Sequence, residues 1–304
     1  MRLSRNLNLI WLFTICINTY FQIPVLLPYY IDEIGLGFRE FLYAEAAFAT
    51  AIVLFDVPTG WIADIWMRKH ALALCIILNI TGLVCLLFAH SLWQVLLAET
   101  FMGIGYSLQS GATAALLYDS LLVANEEDRF RKLEGKRLAV SLYAIAAASI
   151  LGGIVYSFNH FIPIILTIAL EVIAFGAACL LDEPERHKRI GDKHPVADII
   201  TTMKYALHGH AEIGFLILFA SVMFCSTKLI MWSQQPYYVA LHFPKTAFGI
   251  LMAVGFGLGG VSSHWAHLLD GKVNIFRALM LAWAAALLVC IGAGAYMGIS
   301  GVAF

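Results

Sequence analysis

Uninterrupted apolar runs of about twenty residues recur along this chain, and a run of that length has few places to go. At 1.5 Å of rise per residue it reaches across roughly 30 Å, the thickness of bilayer hydrocarbon. "ALALCIILNITGLVCLLFAH" (71–90) and "IPIILTIALEVIAFGAACLL" (162–181) are two of them. The 304 residues are 61% hydrophobic and 13% charged, with a mean hydropathy of +0.82. A soluble domain carries about 25% charged residues, and a soluble chain of this length could not hide so much apolar surface. The sequence therefore predicts an all-α polytopic membrane protein.

The runs place spans at roughly 8–31, 40–63, 71–90, 94–121, 137–158, 161–182, 212–234, 245–267 and 276–298. The first opens with "MRLSRNLNLIWLFTICINTY", which imitates a signal peptide. No small-x-small cleavage site follows, and the run continues through Pro24 and Pro28, so it reads as a span. Connections are short except 122–136, "LVANEEDRFRKLEGK", and 183–211. Of the 19 Lys and Arg residues, only Arg39, Lys245 and Lys228 fall outside the ends and loops on one side. The bias predicts a cytoplasmic N-terminus. In 183–211, Val196, Ile199, Ile200, Met203 and Leu207 recur at helical spacing, as in an amphipathic helix on the inner membrane surface. The expected domains are a six-helix bundle over 1–182, this linker, and a partial bundle of three spans over 212–304.

A net charge of −1 gives no ground for a nucleic-acid partner. The six cysteines all lie in apolar runs without a Cys-x-x-Cys pair and read as small packing residues. The histidines lack the spacing of a metal site, and no G-x-x-x-x-G-K-[ST] loop occurs, so neither metal, cofactor nor ATP-driven transport is expected. There is a weak internal repeat. "PYY" ends the first span at 28–30 and the seventh at 236–238, and each is followed one span later by an Asp, Asp64 or Asp270, with basic residues beyond. Two parallel halves are a common transporter plan.

"GWIADIWMRK" (60–69) resembles the loop motif between the second and third helices of the major facilitator superfamily, with a Gly, an Asp four residues on, then Arg-Lys. "GIGYSLQSGATAALLYDSL" (103–121) resembles that family's fourth helix, and "LDEPER" (181–186) looks like the end of its sixth. The resemblance implies a major-facilitator-type helical bundle with a complete N-terminal half, three helices of the C-terminal half, and alternating access. The family's twelve spans would leave this chain three short, so a truncated transporter is the expectation. Glu99 stands where proton-coupled members often carry Arg, and "ASILGG" (148–153) keeps only the two glycines of an antiporter pattern.

The candidate gate residues are Gly60, Asp64, Arg68, Lys69 and Asp119. Acids near helix C-termini are unfavourable there, and Arg68 can bridge one or both through a planar fork, while Lys69 can face lipid phosphates. This forms either an inner latch, as the resemblance favours, or a static anchor. Asp56 lies about 12 Å inside Asp64, and Glu99 is also intramembrane; a charge at that depth costs roughly 2.5–3.5 kcal/mol unless paired, protonated or wet. These two are the proton-coupling candidates. Glu45, Ala49, Ile52, Asp56, Gly60 and Ala63 fall near one line on the second span, which is expected to face protein. Glu171 is expected to be structural. Candidates for a substrate cavity are Asn18, Gln22, Tyr29, Gln109, Lys228, Trp232 and Gln235. The resemblance places spans one, four and seven around that cavity, with Glu99 and Lys228 across it from each other.

Two functions follow. One is secondary active transport of a small solute, drug or metabolite efflux included, coupled to protons or another ion, in the plasma (inner) membrane. The other is a non-transporting, truncated membrane protein that serves as a binding or scaffold subunit or is an inactive remnant.

Overall fold

The first span must break where its sequence forbids a helix. In the computed structural model, which describes residues 3–65, 67–184 and 211–265 with scattered positions between 280 and 291, α1 (Leu3–Ile17) stops before Asn18. There the Asn18 amide donates to the Thr14 carbonyl at 2.8 Å and Thr19 Oγ1 to the Ile15 carbonyl at 2.6 Å. Pro24, which offers no N–H and crowds the preceding turn, then sits in a 3₁₀ turn, Ile23–Val25. The chain resumes as α2 (Leu26–Tyr29), passes through a π-turn over Tyr30–Ile34, and ends on Gly35 at φ 75°. The span thus starts earlier than the apolar run suggests and is interrupted.

The remaining helices are α3 (Phe38–Ile65), α4 (Arg68–Leu87), α5 (Leu92–Val123), α6 (Phe130–Tyr156), α7 (Ile162–Leu180), α8 (Ala211–Ala240) and α9 (Lys245–Trp265). Most match the expected spans to within a few residues. The exception is 122–136, expected as a loop. Here α6 begins at Phe130 and is led by a 3₁₀ turn over Glu127–Arg129. A helix that leaves the bilayer can carry charge on its wet turns, and Glu126–Arg129 and Glu134–Arg137 pair at i,i+3 spacing. The 185–210 linker, with its expected amphipathic helix, lies outside the described residues.

Contacts divide the chain into Met1–Lys188 with Pro244–Leu268, and Arg189–Phe243 with Leu269–Phe304. In the first unit, α5 packs against both α3 and α4, α7 against α1 and α4, and α9 against α6. The core joins Phe13 and Ile17 of α1 with Leu72 and Ile76 of α4, Leu116 and Leu117 of α5, and Ala174 of α7. The eighth span therefore packs with the first six. In the second unit, α8 is the principal described helix.

Small residues set these contacts, as hydrocarbon requires, since lipid gives helices no hydrophobic reason to associate. A Cβ on Gly249 of α9 would lie 2.1 Å from the Ser149 carbonyl oxygen of α6, and one on Gly152 would lie 1.9 Å from that of Phe21 in the broken first span. The paired glycines of "ASILGG" thus serve close packing on two sides, Gly152 toward the first span and Gly153 toward α9.

The expected line on α3 is covered only in part, since Ala63 is buried while Asp56 and Gly60 face a cavity between α3 and α5. The buried stripe of α3 is Phe41, Ala44, Ala51, Thr59 and Ala63, whereas Ala49, Asp56 and Gly60 are exposed. Both faces are rich in small residues, so residue type alone does not separate them. The choice falls to α5, where a Cβ on Gly103 would meet the Phe48 carbonyl oxygen at 2.5 Å and Ala51 at 2.8 Å.

Among the described residues, α4, α6, α7 and α9 are long and apolar enough to cross a membrane. The long helices α3 and α5 carry the acids Glu45, Asp56, Glu99 and Asp119. Gly249→Ala should lower stability by about 1–3 kcal/mol through overpacking. Gly255→Ala on the same helix, where a Cβ meets nothing within 4 Å, should change it by less than about 0.5 kcal/mol. Thermal unfolding of the two purified variants checks the contrast.

Candidate functional site

At the N-terminal end of α4, Arg68 occupies the first helical position, where the helix dipole disfavours a cation. Two acids offset this. Asp119, one turn before the end of α5, forms an ion pair with the guanidinium, and both side chains are largely buried, at 14% and 18% exposure. Glu183, just past α7, receives the backbone N–H of Arg68 at 2.9 Å and of Lys69 at 3.1 Å, one on each carboxylate oxygen. It caps a helix whose own preceding residue, Met67, cannot. Asn6 ties the same end together, donating to Ser120 Oγ at 2.9 Å and accepting the Asp182 N–H at 3.0 Å. The structure thus joins Arg68 to Asp119; the side chain of Asp64 lies outside the described residues.

Between α3 and α5 lies a cavity of about 370 Å³, lined by Asp56, Thr59 and Gly60 from α3, Ser107 and Ser110 from α5, and Arg68 of α4. Ala63, Leu108, Ala112 and Ala115 give it an apolar side. Ser110 Oγ stands 3.4 Å from Asp56 Oδ1, and Thr59 Oγ1 stands 3.2 Å from Ser107 Oγ. Asp56 is exposed to this space, which removes the penalty for a charge facing lipid.

The other candidates are placed differently. Glu99 is 4% exposed and accepts a 2.8 Å bond from the Tyr30 hydroxyl, so it is held between α5 and the π-turn of the first span. Gln22 accepts from Thr167 at 2.6 Å, and Tyr29 donates to the Leu86 carbonyl at 3.3 Å. These two join the first span to α7 and α4 and do not line the cavity. Asn18 donates back to the Thr14 carbonyl of α1. Gln109 is buried, and its side-chain carbonyl has no hydrogen-bond partner among the described residues. Lys228, Trp232 and Gln235 lie along α8, with Lys228 Nζ 5.7 Å from the centre of the Phe224 ring. Glu171 is fully buried and accepts from Asn79 at 3.3 Å.

Two groups escaped the sequence reading. Glu183 is one; an acid directly after an apolar span, opposite a helix without its own cap, is the signal. The other is a cluster at the opposite end of the helices from Arg68, for which no motif exists. The Tyr156 hydroxyl donates to Asp32 at 2.8 Å, Lys245 pairs with Asp32 and lies 5.2 Å from the centre of the Tyr156 ring, and His160 pairs with Glu33 while stacking on Tyr156. It ties the first span to α6 and α9.

Replacing Asp119 or Arg68 with Ala removes one partner of a largely buried ion pair. Each should destabilise by roughly 2–4 kcal/mol. The double variant should lose less than the sum by about 1 kcal/mol or more, as read by chemical or thermal unfolding.

The sequence profile described as Major Facilitator Superfamily matches residues 9–304. No curated protein matches the chain significantly. Among solved structures, a mutant of the nucleoside transporter NupG superposes with a TM-score of 0.63 at 14% identity, over 84% of this chain and 65% of that one. A mutant of the peptide transporter POT in complex with sulfate superposes with a TM-score of 0.56 at 13% identity, over 95% and 74%. These likenesses concern the fold, and this chain spans 65% of the length of the NupG chain. The profile extends over nearly the whole sequence, the chain's helices superpose on transporter structures, and the motifs at 60–69 and 103–121 fall where α3, α4 and α5 meet around Arg68: this integral membrane protein belongs to the Major Facilitator Superfamily.

Proposed function

We propose that the protein is a secondary transporter that moves a small solute by alternating access, coupled to protons, with its N-terminus in the cytoplasm of a cell whose plasma membrane holds it. The observation that carries this reading is a pair of charged networks at opposite ends of one set of helices. The inner one is Arg68–Asp119 with Glu183. The outer one is Asp32, Glu33, Tyr156, His160 and Lys245. Over the 28 residues of α3 the two ends are separated by about 42 Å. Networks of this kind can open at one end while the other holds, and the Asp56 cavity lies between them. The two fold neighbours are described as nucleoside and peptide transporters, which supports a small organic solute.

Glu99 and Asp56 are the proposed proton carriers. A carboxyl that alternates between a dry and a wet setting binds its proton more tightly in the dry one, which links protonation to access. Glu99, held by Tyr30 away from water, fits the dry state; Asp56, at the cavity wall, fits the wet one. Each proton crossing 100 mV provides about 2.3 kcal/mol.

The test is flux into proteoliposomes, with radiolabelled nucleosides and dipeptides as the first panel. Uptake driven by an imposed proton gradient should collapse with a protonophore and fall about tenfold or more in Glu99→Gln, a loss of 1.4 kcal/mol or more in driving or barrier terms. Solute exchange without a gradient should persist. Flux indifferent to both would remove proton coupling, and solute binding without flux would favour a non-transporting membrane protein.

A further inference from the structure

The cluster at the end of the helices opposite Arg68 has more fixed negative charge than positive. Asp32 and Glu33 place two carboxylates in the π-turn that ends the first span, where a helix end already disfavours acids. Lys245, at the start of α9, pairs with Asp32. Glu33 pairs with His160, in the link between α6 and α7. Among the described residues, the titratable groups around His160 are Tyr29, Asp32 and Glu33 from the first span, Tyr156 from α6 and Lys245 from α9. Carboxyl and ammonium groups are ordinarily charged, and phenols neutral, between pH 5 and 8. Histidine is the side chain that changes charge in that range. A proton on His160 therefore takes the cluster from one net negative charge to none. The start of α7 follows within two residues and opposes that charge, so Glu33 is the group that supports it.

Tyr156 is where the two cations meet. It is fully buried, and its hydroxyl donates to Asp32 at 2.8 Å. His160 stacks on its ring with centroids 4.4 Å apart, and Lys245 Nζ lies 5.2 Å from the ring centre. Two groups held against one ring stand within about 10 Å of each other, near the screening length of about 8 Å at physiological salt. A charge on His160 thus repels Lys245 and competes with it for the same π system. Its pairing with Glu33 tightens the first span onto the α6–α7 link and does nothing to hold α9. The remaining contact of α9 here is packing: a Cβ on Gly153 would lie 3.2 Å from the Lys245 carbonyl oxygen, and one on Gly249 2.1 Å from that of Ser149. That packing carries no charge, whereas the Lys245 tie does. We propose that His160 is a proton-operated release for α9. Its side chain is 38% exposed, so protons reach it from the water at this end; once charged, it weakens the hold of Lys245 and favours opening there. The switch rests on the transport reading above, in which α9 belongs to the half that parts from the first six spans and this end faces outside. External acid then opens the side from which protons enter.

Spin labels on Trp93→Cys, near the start of α5, and Ile250→Cys of α9, both exposed positions, measure the opening as a distance distribution in nanodiscs. The native cysteines are replaced, and neither solute nor gradient is present. The separated fraction should rise about two- to threefold from pH 8 to pH 5, the worth of one screened charge at this range. His160→Gln should stay flat at the pH 8 value. His160→Arg, charged at every pH, should stay at or above the pH 5 value, and Lys245→Ala should raise the separated fraction throughout. A response undiminished in His160→Gln, a separated fraction that falls with acid, or no gain in Lys245→Ala overturns the proposal. If His160→Gln does not fold, a pH response that persists in His160→Arg overturns it as well. Acid-driven opening in a chain that moves no solute would retire the transport reading and leave the switch; flux without His160-dependent opening would do the reverse.

Discussion

Inside hydrocarbon a helix gains nothing by hiding apolar side chains from lipid that is as apolar as they are, so its contacts must come from close fit and from polar groups with nowhere else to turn. Both kinds are visible here. Gly249 and Gly152 bring helix backbones to within a Cβ's width of a facing carbonyl. Tyr30 with Glu99, Thr167 with Gln22, and Asn79 with Glu171 hold α5, the first span, α4 and α7 together through bonds that lipid cannot replace. The exposed apolar surface, with Trp93 at 80% and Phe158 at 81%, is ordinary once its solvent is lipid.

The same constraint sorts the charges. Asp32, Glu33, Lys245 and His160 gather at one end of the bundle, and Arg68, Asp119 and Glu183 at the other, where the helices meet water. Within the described interior, Glu99 and Glu171 each have a hydrogen-bonding neighbour. Asp56 is placed differently, on the wall of a cavity. An interior acid that keeps a route to water is the arrangement in which binding a charge and changing access can be linked. Breaks in regular structure fall at the same levels. The first span is interrupted next to Thr167 and Gly152, and its π-turn carries Tyr30 to Glu99.

Some of this was legible beforehand. Arg68 could be matched to the pair Asp64 and Asp119, because helix-end acids and a loop arginine on the same membrane face attract one another, but which of the two it takes stayed open. Asp56 could be singled out because its depth followed from counting residues at 1.5 Å each. The buried face of α3 could not. Ala44 and Ala49 are the same residue type on different faces, and which one is covered depends on where Gly103 of α5 comes to rest. Nor could the role of Gln22 and Tyr29, whose amide and hydroxyl suit a solute as well as they suit a neighbouring helix.

The sequence by itself determined that the chain spans a membrane, where most spans begin and end, and which ends carry positive charge. Each of these is local: it depends on the length and polarity of one segment against a solvent of fixed thickness. Only the tertiary structure decided which side chains meet. Asp32 and Lys245 stand 213 positions apart, and Glu183 reaches back 115 positions to cap the helix that begins at Arg68. No segment can encode such a meeting alone, because the energy of an ion pair or a cap belongs to the distance between two helices, and that distance is set by the small residues packed elsewhere along them.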